Sequence, residues 1–264
     1  MVAIIKVELN SEWNLFVIVC LIKKKICTML QIKTEFDRRV EEINLYFNFV
    51  SNLQDQPILR SKEVSNRLEF EIDRDLVRIL KANGFLLLYN LVEFACRGSI
   101  LTIYETINVE ELPFQEASQE IQQLWLSHRT RGINIHNENV AQAIHKITEV
   151  IVRQEKIEFE QERLKEEIKT QLSGNVDASK IRDKLAKEYG FSAKVSQRKQ
   201  GAVLKTVRDN RNDLAHGHIT FAERGADYSE PEMLEIKNEV VEYLREILTN
   251  IETFLNQKQY KKIT

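Results

Sequence analysis

Apolar residues recur every three or four positions along most of this chain, the spacing that places them on one face of an α-helix. The clearest early example runs from Gln31 to Leu53, where one stripe carries six apolar residues: Ile32, Phe36, Val40, Ile43, Phe47 and Val50. Pro57 predicts the end of this helix. A second helix is expected from about Lys62 to Ala82, and Gly84 is the point at which it would bend or break.

The most apolar segment, Phe85 to Ile107, is predicted to be the central core helix. Three polar residues inside it, Asn90, Glu93 and Arg97, share a face because they are three and four positions apart. Polar groups on a buried face need partners. Two interpretations are open: a set of hydrogen bonds and ion pairs that fixes helix packing, or a set in which Glu93 or Asn90 orients a functional arginine.

The middle of the chain is predicted to hold a long charged helix. A helix from Pro113 to about His128 and a loop from Gly132 to Asn139 precede a helix from Val140 to about Leu172. The second half of that helix is dense in charge and carries one apolar stripe, formed by Ile157, Leu164, Ile168 and Leu172. Such a pattern favours a solvated helix or the arm of a hairpin that faces a partner, inserted at about residues 140–175.

The last third of the chain has clear helix boundaries. Ser173, Gly174 and Asn175 break the pattern, Asp177 is a plausible N-cap for a helix to Tyr189, and Gly190 ends it. After a loop over residues 218–229, Pro231 suits the start of the last helix. That helix has a broad apolar face: Val240, Val241, Leu244, Ile247, Leu248, Ile251, Phe254 and Leu255.

Composition supports an all-α fold and limits the chemistry. With 8 Gly and 3 Pro in 264 residues and 30% charged residues, long helices are favoured over a many-stranded sheet. The net charge of −2 gives no overall attraction to nucleic acid, so any RNA contact must come from a local basic patch. Cys20, Cys27 and Cys96 form no C-x-x-C pair, and the histidines form no H-E-x-x-H motif. We therefore expect a reduced, cytoplasmic protein with no metal site and no cofactor.

The segment with the most suggestive chemistry is Val203 to Gly217, V-L-K-T-V-R-D-N-R-N-D-L-A-H-G. On a helical projection Arg211 lies within the apolar arc of Val203, Leu204, Val207, Leu214 and Ala215, so it needs a polar partner. Gly217 predicts the end of the helix and places His216 at its carbonyl end. The partial negative charge there favours imidazolium, and so does Asp213 three residues before it, whereas Arg211 opposes it.

The spacing of Arg211 and His216 is by itself weak support for a site, because chance predicts about 0.3 such pairs in a chain of this composition. A second pair, Arg131 and His136, has the same spacing. Glycine follows Arg131, and Ile133 and Ile135 alternate as in an extended segment. We treat this second pair as a chance match.

The longer string R-N-D-L-A-H-G-H-I-T-F-A-E-R-G from Arg211 resembles the signature of the HEPN superfamily (higher eukaryote and prokaryote nucleotide-binding domain). That signature is Arg, a polar residue, and His four to six residues after the Arg. The MAE-type bacterial branch is the most similar. Three further segments fit it, from Met29, Lys81 and Ser173: M-L-Q-I-K-T-E-F-D-R-R-V-E-E-I-N-L-Y-F, K-A-N-G-F-L-L-L-Y-N-L-V-E-F and S-G-N-V-D-A-S-K-I-R. The resemblance covers about Met29 to Tyr260.

The resemblance implies an HEPN-like multi-helix bundle with a long charged helical insertion, in one domain over residues 29–264. It implies a metal-independent endoribonuclease that acts on RNA as a homodimer, as a toxin or effector in a toxin–antitoxin or phage-defence system. Its partner would be a cognate antitoxin or a neighbouring defence protein. Arg211, Asn212 and His216 would be catalytic, with Asp213, Glu93 and Asn90 in support. The alternatives are a catalytically silent HEPN-like module that binds a protein or nucleotide partner, and an antitoxin or regulator of a neighbouring gene's product.

Basic residues lead into the motif: Lys194, Arg198, Lys199, Lys205 and Arg208. They are either an ordinary soluble surface or the local basic patch that contacts RNA phosphates on both sides of the cleaved bond.

Residues 1–28 precede the region of resemblance. Trp13 to Ile22 is an apolar run of ten, about half of what a membrane-spanning helix needs, so no membrane segment is expected. Glu8 and Glu12 before the run, and the lysines at 23–25 after it, are wrong for a secretory signal. The run is either a small extra element on the core or an upstream extension of the reading frame, and we favour the extension.

Overall fold

The computed structural model describes residues 28–55, 58–60, 69–130, 139–153, 156–196 and 200–262. Trp13 to Ile22, Pro57, most of the loop predicted over residues 132–139, and the pair Arg131 and His136 lie outside these ranges.

The described residues form an all-α architecture, as predicted. The helices are α1 (Met29–Asp55), α2 (Arg74–Glu110), α3 (Gln119–Thr130), α4 (Asn139–Val152), α5 (Gln161–Leu172), α6 (Ala186–Tyr189), α7 (Val203–Ala215), α8 (Phe221–Ala226) and α9 (Glu230–Asn256). A 3₁₀ turn spans Phe114–Glu116 and a π-helical segment spans Lys180–Leu185. Two short strands, β1 (Ile58–Arg60) and β2 (Glu69–Glu71), pair in antiparallel orientation.

Helix α2 is the centre of the fold, as its apolar sequence predicted. It packs against α1, α5, α7, α8 and α9, and Phe85, Leu88 and Val92 are fully buried in it. Gly84 does not break the helix. A Cβ at this position would lie 3.0 Å from both Phe47 and Met233, so the glycine allows α1 and α9 to approach closely.

The helix predicted from Lys62 to Ala82 is wrong in its first part. Glu69 to Glu71 form strand β2, and α2 begins only at Arg74, where the Asp73 side chain accepts a hydrogen bond from the Asp75 N–H. This N-cap fixes the true start of the helix. Among the described helices only α2 is long and apolar enough to cross a membrane, and 56% of its most apolar stretch is buried inside the protein, as in the core helix of a folded domain.

The single helix predicted from Val140 to Leu172 is also wrong, because the structure has two helices, α4 and α5, and the link between them includes the non-helical residues 156–160. The Asn108 side chain on α2 holds that link through two 2.9 Å hydrogen bonds, one to the N–H and one to the carbonyl of Phe159. Ile157 and Phe159 are buried.

The apolar stripe of α5 is real, but it faces the core. Leu164, Ile168 and Leu172 are buried in the main core cluster. The interpretation of this half as a solvated hairpin arm is therefore wrong for α5. By contrast, α4 leaves Ile144 and Val152 exposed.

The helix boundaries of the last third are confirmed. Asp177 accepts a hydrogen bond from the Lys180 N–H at 2.8 Å, helical residues 178–189 follow, and Gly190 closes them with a φ of +84°. Ser229 caps α9 through a capping box, with Pro231 in its first turn. The predicted loop before α9 contains α8, which a second capping box, Thr220 with Glu223, begins.

Candidate functional site

Helix α7 carries the Arg211 motif and is fixed by its apolar side. Val203, Leu204, Val207 and Leu214 are buried, and the helix packs against α2 and α9. Ala215, predicted to belong to this arc, is exposed. Asn210 is buried instead and donates hydrogen bonds to the Tyr228 hydroxyl and the Thr206 carbonyl.

The carboxyl end of α7 is where the sequence predicted it. Gly217 has a φ of +70°, its N–H donates to the Leu214 carbonyl at 3.3 Å, and the His218 N–H donates to the Asp213 carbonyl at 2.9 Å. This pair of bonds is a Schellman motif, in which a left-handed residue ends the helix. It leaves His216 exposed at the carbonyl end of the helix.

Arg211 makes the polar contacts that its position on the apolar arc of α7 required, and it makes them within its own chain. Its guanidinium lies over the Tyr89 ring, 5.0 Å from the ring centre, and its Nη1 donates to Asn212 Oδ1 at 3.0 Å. Among the described residues no carboxylate forms an ion pair with it, whereas the other two cations of α7, Lys205 and Arg208, are both paired. Arg211 is thus the one cation of α7 without an ion-pair partner among the described residues.

A chain of hydrogen bonds supports the arginine. Asn212 Nδ2 donates to the Gly174 carbonyl at 3.1 Å, and the Gly174 N–H donates to Glu93 Oε1 at 2.8 Å. Glu93 Oε2 also pairs with Arg97 at 2.9 Å. Glu93 thus forms a structural ion pair with Arg97, and it also binds the turn against which Asn212 and Arg211 lie. Its role in orienting a functional arginine stays a prediction.

The predicted supporting role of Asn90 finds no such basis, because Asn90 is exposed and makes no side-chain hydrogen bond within the described ranges. Tyr89, which no motif in the sequence marked, contacts Arg211 instead. Its ring is buried beneath Arg211, and its hydroxyl accepts a hydrogen bond from the Val176 N–H at 3.0 Å. Burial raises the pKa of Tyr89 to about 12, so it is a neutral platform at physiological pH.

Asp213, expected to act on His216, instead contacts Arg224 and His218. Its Oδ2 lies 2.8 Å from Arg224 Nη2, and its Oδ1 lies 3.6 Å from His218 Nδ1. The turn at Gly217 is the reason, because it brings the chain back over the last turn of α7. The rings of His216 and His218 are neighbours, with centres 5.7 Å apart.

Some of the cations in the predicted basic patch are held in ion pairs with carboxylates, so they are not free to bind phosphate. Arg208 is bound to Asp177 and to Asp209, and its side chain is 23% exposed. Burial alone would raise the pKa of Asp177, but hydrogen bonds from Lys180 and Ser179 and the charge of Arg208 outweigh it, so the pKa is lowered. Arg208 is thus a structural residue and not a free phosphate ligand.

Of the other residues in that patch, Lys205 is exposed and pairs with Asp209 at 2.7 Å, and Lys194 is exposed. Arg198 and Lys199 lie outside the described residues. In the part of the chain that the structure describes, no group of three or more His, Cys, Asp or Glu side chains comes together to hold a metal ion.

Comparison with known proteins identifies the family. The model of the HEPN_MAE_28990-like HEPN family matches residues 29–260, most of the chain. No curated protein and no solved structure gives a significant match. The family supports a nucleotide-related or ribonuclease-type role. The chain therefore belongs to the HEPN superfamily, in its MAE_28990-like branch.

Proposed function

We propose that this protein is a metal-independent endoribonuclease. RNA carries its own nucleophile, the 2′-hydroxyl, so cleavage needs a group that transfers protons and a cation that stabilises charge on the phosphate in the transition state. His216 supplies the first and Arg211 the second. Asn212 fixes the direction of the guanidinium through its hydrogen bond to Arg211.

The observation that carries this proposal is the set of contacts that the Arg211 guanidinium makes. In the described residues its charge has no carboxylate partner, it rests on a neutral aromatic ring, and only one of its nitrogens is occupied by Asn212. Its remaining guanidinium donors make no hydrogen bond within those residues, so they can bind a phosphate, which arginine holds through two parallel hydrogen bonds. A purely structural arginine would resemble Arg208, which is held by two carboxylates.

The proposal includes a homodimer with a composite site. Five residues at about 100° each place His216 roughly 140° around α7 from Arg211, so one helix does not readily aim both side chains at one phosphate. Two antiparallel copies of α7 would bring the arginine of one chain near the histidine of the other. Arg211 contacts Tyr89 and Asn212 of its own chain, so it does not need a partner chain for its polar contacts. The angle between Arg211 and His216 is therefore the reason for proposing the dimer.

Mixing inactive Arg211→Ala and His216→Ala chains tests the composite site. A mixed dimer keeps one intact arginine and one intact histidine on different chains, so we expect partial recovery of activity after co-refolding. A verified mixed dimer with no activity above either parent would contradict a site that needs only one such pair. A wild-type monomer that still cuts RNA would contradict the composite site itself.

The biological role that we propose is a cytoplasmic toxin or effector of a toxin–antitoxin or phage-defence system, restrained by an antitoxin or a neighbouring defence protein. Expression of the wild type should slow growth, and expression of His216→Ala should not. His145→Ala is the matched control, because His145 is an exposed histidine near a carboxylate on α4. Equal growth with wild type and His216→Ala would favour the silent binding module.

A further inference from the structure

We infer that His218 is a second catalytic residue of the proposed ribonuclease, a general acid that works with His216 as the general base. This inference rests on the proposed function and assigns a role to a side chain that lies outside the Arg211–His216 pair. The structure brings His218 into the site through the backbone turn at the end of α7.

The His216 and His218 rings lie side by side at the carboxyl end of α7. Gly217 lies between the two histidines with a φ of +70°, and the His218 N–H is tied back to the Asp213 carbonyl at 2.9 Å. The imidazole centres are 5.7 Å apart, and the ring planes are inclined by 30°. Two imidazoles at this distance can reach opposite oxygens of one phosphodiester, which hydrogen bonds of about 2.6–3.2 Å would connect to the ring nitrogens.

The His218 ring lies beside a carboxylate that an arginine holds in place. The Asp213 carboxylate lies 3.6 Å from His218 Nδ1, and Arg224 holds the other oxygen of that carboxylate at 2.8 Å. Arg224 is itself held by Asp227 at 3.1 Å. The carboxylate lies on the Nδ1 side of the His218 ring, so Nε2 is the nitrogen left to face the substrate, and this placement is the reason to give His218 the role of the acid. His218 is 68% exposed, so RNA can reach it.

These contacts assign the two proton transfers. Neutral His216 takes the proton from the 2′-hydroxyl as the 2′-oxygen attacks phosphorus. The bond between phosphorus and the 5′-oxygen breaks, and protonated His218 gives its proton to that oxygen. The products are a 2′,3′-cyclic phosphate and a 5′-hydroxyl, with His216 protonated and His218 neutral. Exchange with water resets both rings, so the step needs no other reactant.

The test compares wild type, His218→Ala, His218→Asn and the control His145→Ala on two short RNAs. One RNA has the ordinary 5′-oxygen at the cleaved bond, and the other has sulfur there, a leaving group that needs no proton. On the ordinary RNA we expect the His218 variants to lose about 100-fold or more in kcat, the usual contribution of an acid or base. The bell-shaped pH dependence of kcat should also lose its decline at alkaline pH, because that decline reports deprotonation of the general acid.

On the sulfur-linked RNA the His218 variants should recover to within a few-fold of wild type, whereas His216→Ala should stay slow on both substrates. Recovery is the result that a merely structural role would not give. Thermal midpoints check folding, and His218→Asn keeps polarity if alanine disturbs the turn.

The outcomes separate this inference from the proposed function. If wild type cleaves RNA and the His218 variants cleave it equally well, or stay equally slow on both RNAs with both pH limbs intact, the acid role is overturned and the ribonuclease stands. If wild type cleaves neither RNA, both are overturned.

Discussion

Asn212 Nδ2 donates a hydrogen bond to the carbonyl of Gly174, 38 residues earlier in the chain, at 3.1 Å. The Gly174 N–H donates to Glu93, so side chains from α2 and α7 together bind both the N–H and the carbonyl of Gly174. The Oδ1 of Asn212 also accepts from Arg211. Asn212 therefore links Arg211, through Gly174 and Glu93, to the central helix α2.

Replacing Gly174 with alanine tests that link. Gly174 has a φ of +71°, and an added Cβ would lie 3.3 Å from Arg211 Nη1. We expect a loss of about 1–2 kcal/mol in the free energy of unfolding from the left-handed backbone, and at least a tenfold loss of RNA cleavage because the guanidinium moves.

The matched control is Gly190→Ala, with a φ of +84° and a new Cβ 3.3 Å from the Glu120 side chain, away from Arg211. It should lose similar stability in chemical denaturation and keep its activity. Equal losses of activity in both variants would show that general destabilisation, and not displacement of Arg211, is the cause.

The role of Arg208 gives a second prediction. Removing it leaves the buried Asp177 carboxylate without its cation, so Arg208→Ala should lower the free energy of unfolding by about 2 kcal/mol. Lys205→Ala removes a pair that is 69% exposed on the lysine side and should change stability by less than about 0.5 kcal/mol. Urea titrations of both variants measure this. A stable Arg208→Ala protein with weakened RNA binding would instead restore Arg208 to the phosphate-binding surface.

A third prediction concerns acid stability. Glu110, at the end of α2, accepts hydrogen bonds from Lys258 at 2.8 Å and Lys261 at 2.6 Å, which lower its pKa to about 2. An unfolded glutamate has a pKa of about 4.3. A lowered folded-state pKa means that the stabilisation is complete above the unfolded value and is lost as the pH falls from about 5 to 2.

Glu110→Gln should therefore lower the thermal midpoint at pH 7 by roughly 2–4 °C, the shift that about 1 kcal/mol gives in a domain of this size. The difference from wild type should shrink at pH 3. Glu42→Gln, in an exposed pair with Arg38, is the control and should show little difference at either pH. A Glu110→Gln deficit that is equally large at pH 3 would contradict the role of the Glu110 charge.

Local pattern was enough to predict the long helices. The stripe from Ile32 to Val50 and the face of α9 identify helices because every third or fourth residue is buried. Local pattern was not enough to find the break between α4 and α5. Ile157 and Leu164 keep helical spacing, and the break depends on Asn108, 51 residues from Phe159, which no local pattern reveals.

The site divides in the same way. Arg211, Asn212 and His216 were predicted from one short string at the end of α7, and their catalytic roles stay predictions. Tyr89 and Gly174 join them only because α2 and the turn before Asp177 pack against α7. His218 was visible in the sequence, but its relation to Asp213 depends on the turn at Gly217, which a helical projection ending at His216 does not contain.

The most direct test of the proposed function is an analysis of the ends left when purified protein cuts a defined RNA in excess EDTA. We predict cleavage by wild type that leaves a 2′,3′-cyclic phosphate, or its hydrolysis product, and a 5′-hydroxyl, detected by mass spectrometry. Arg211→Ala and His216→Ala should each be at least about 100-fold slower. Cleavage that EDTA abolishes and a divalent ion restores, or products with a 3′-hydroxyl and a 5′-phosphate, would contradict the proposed mechanism.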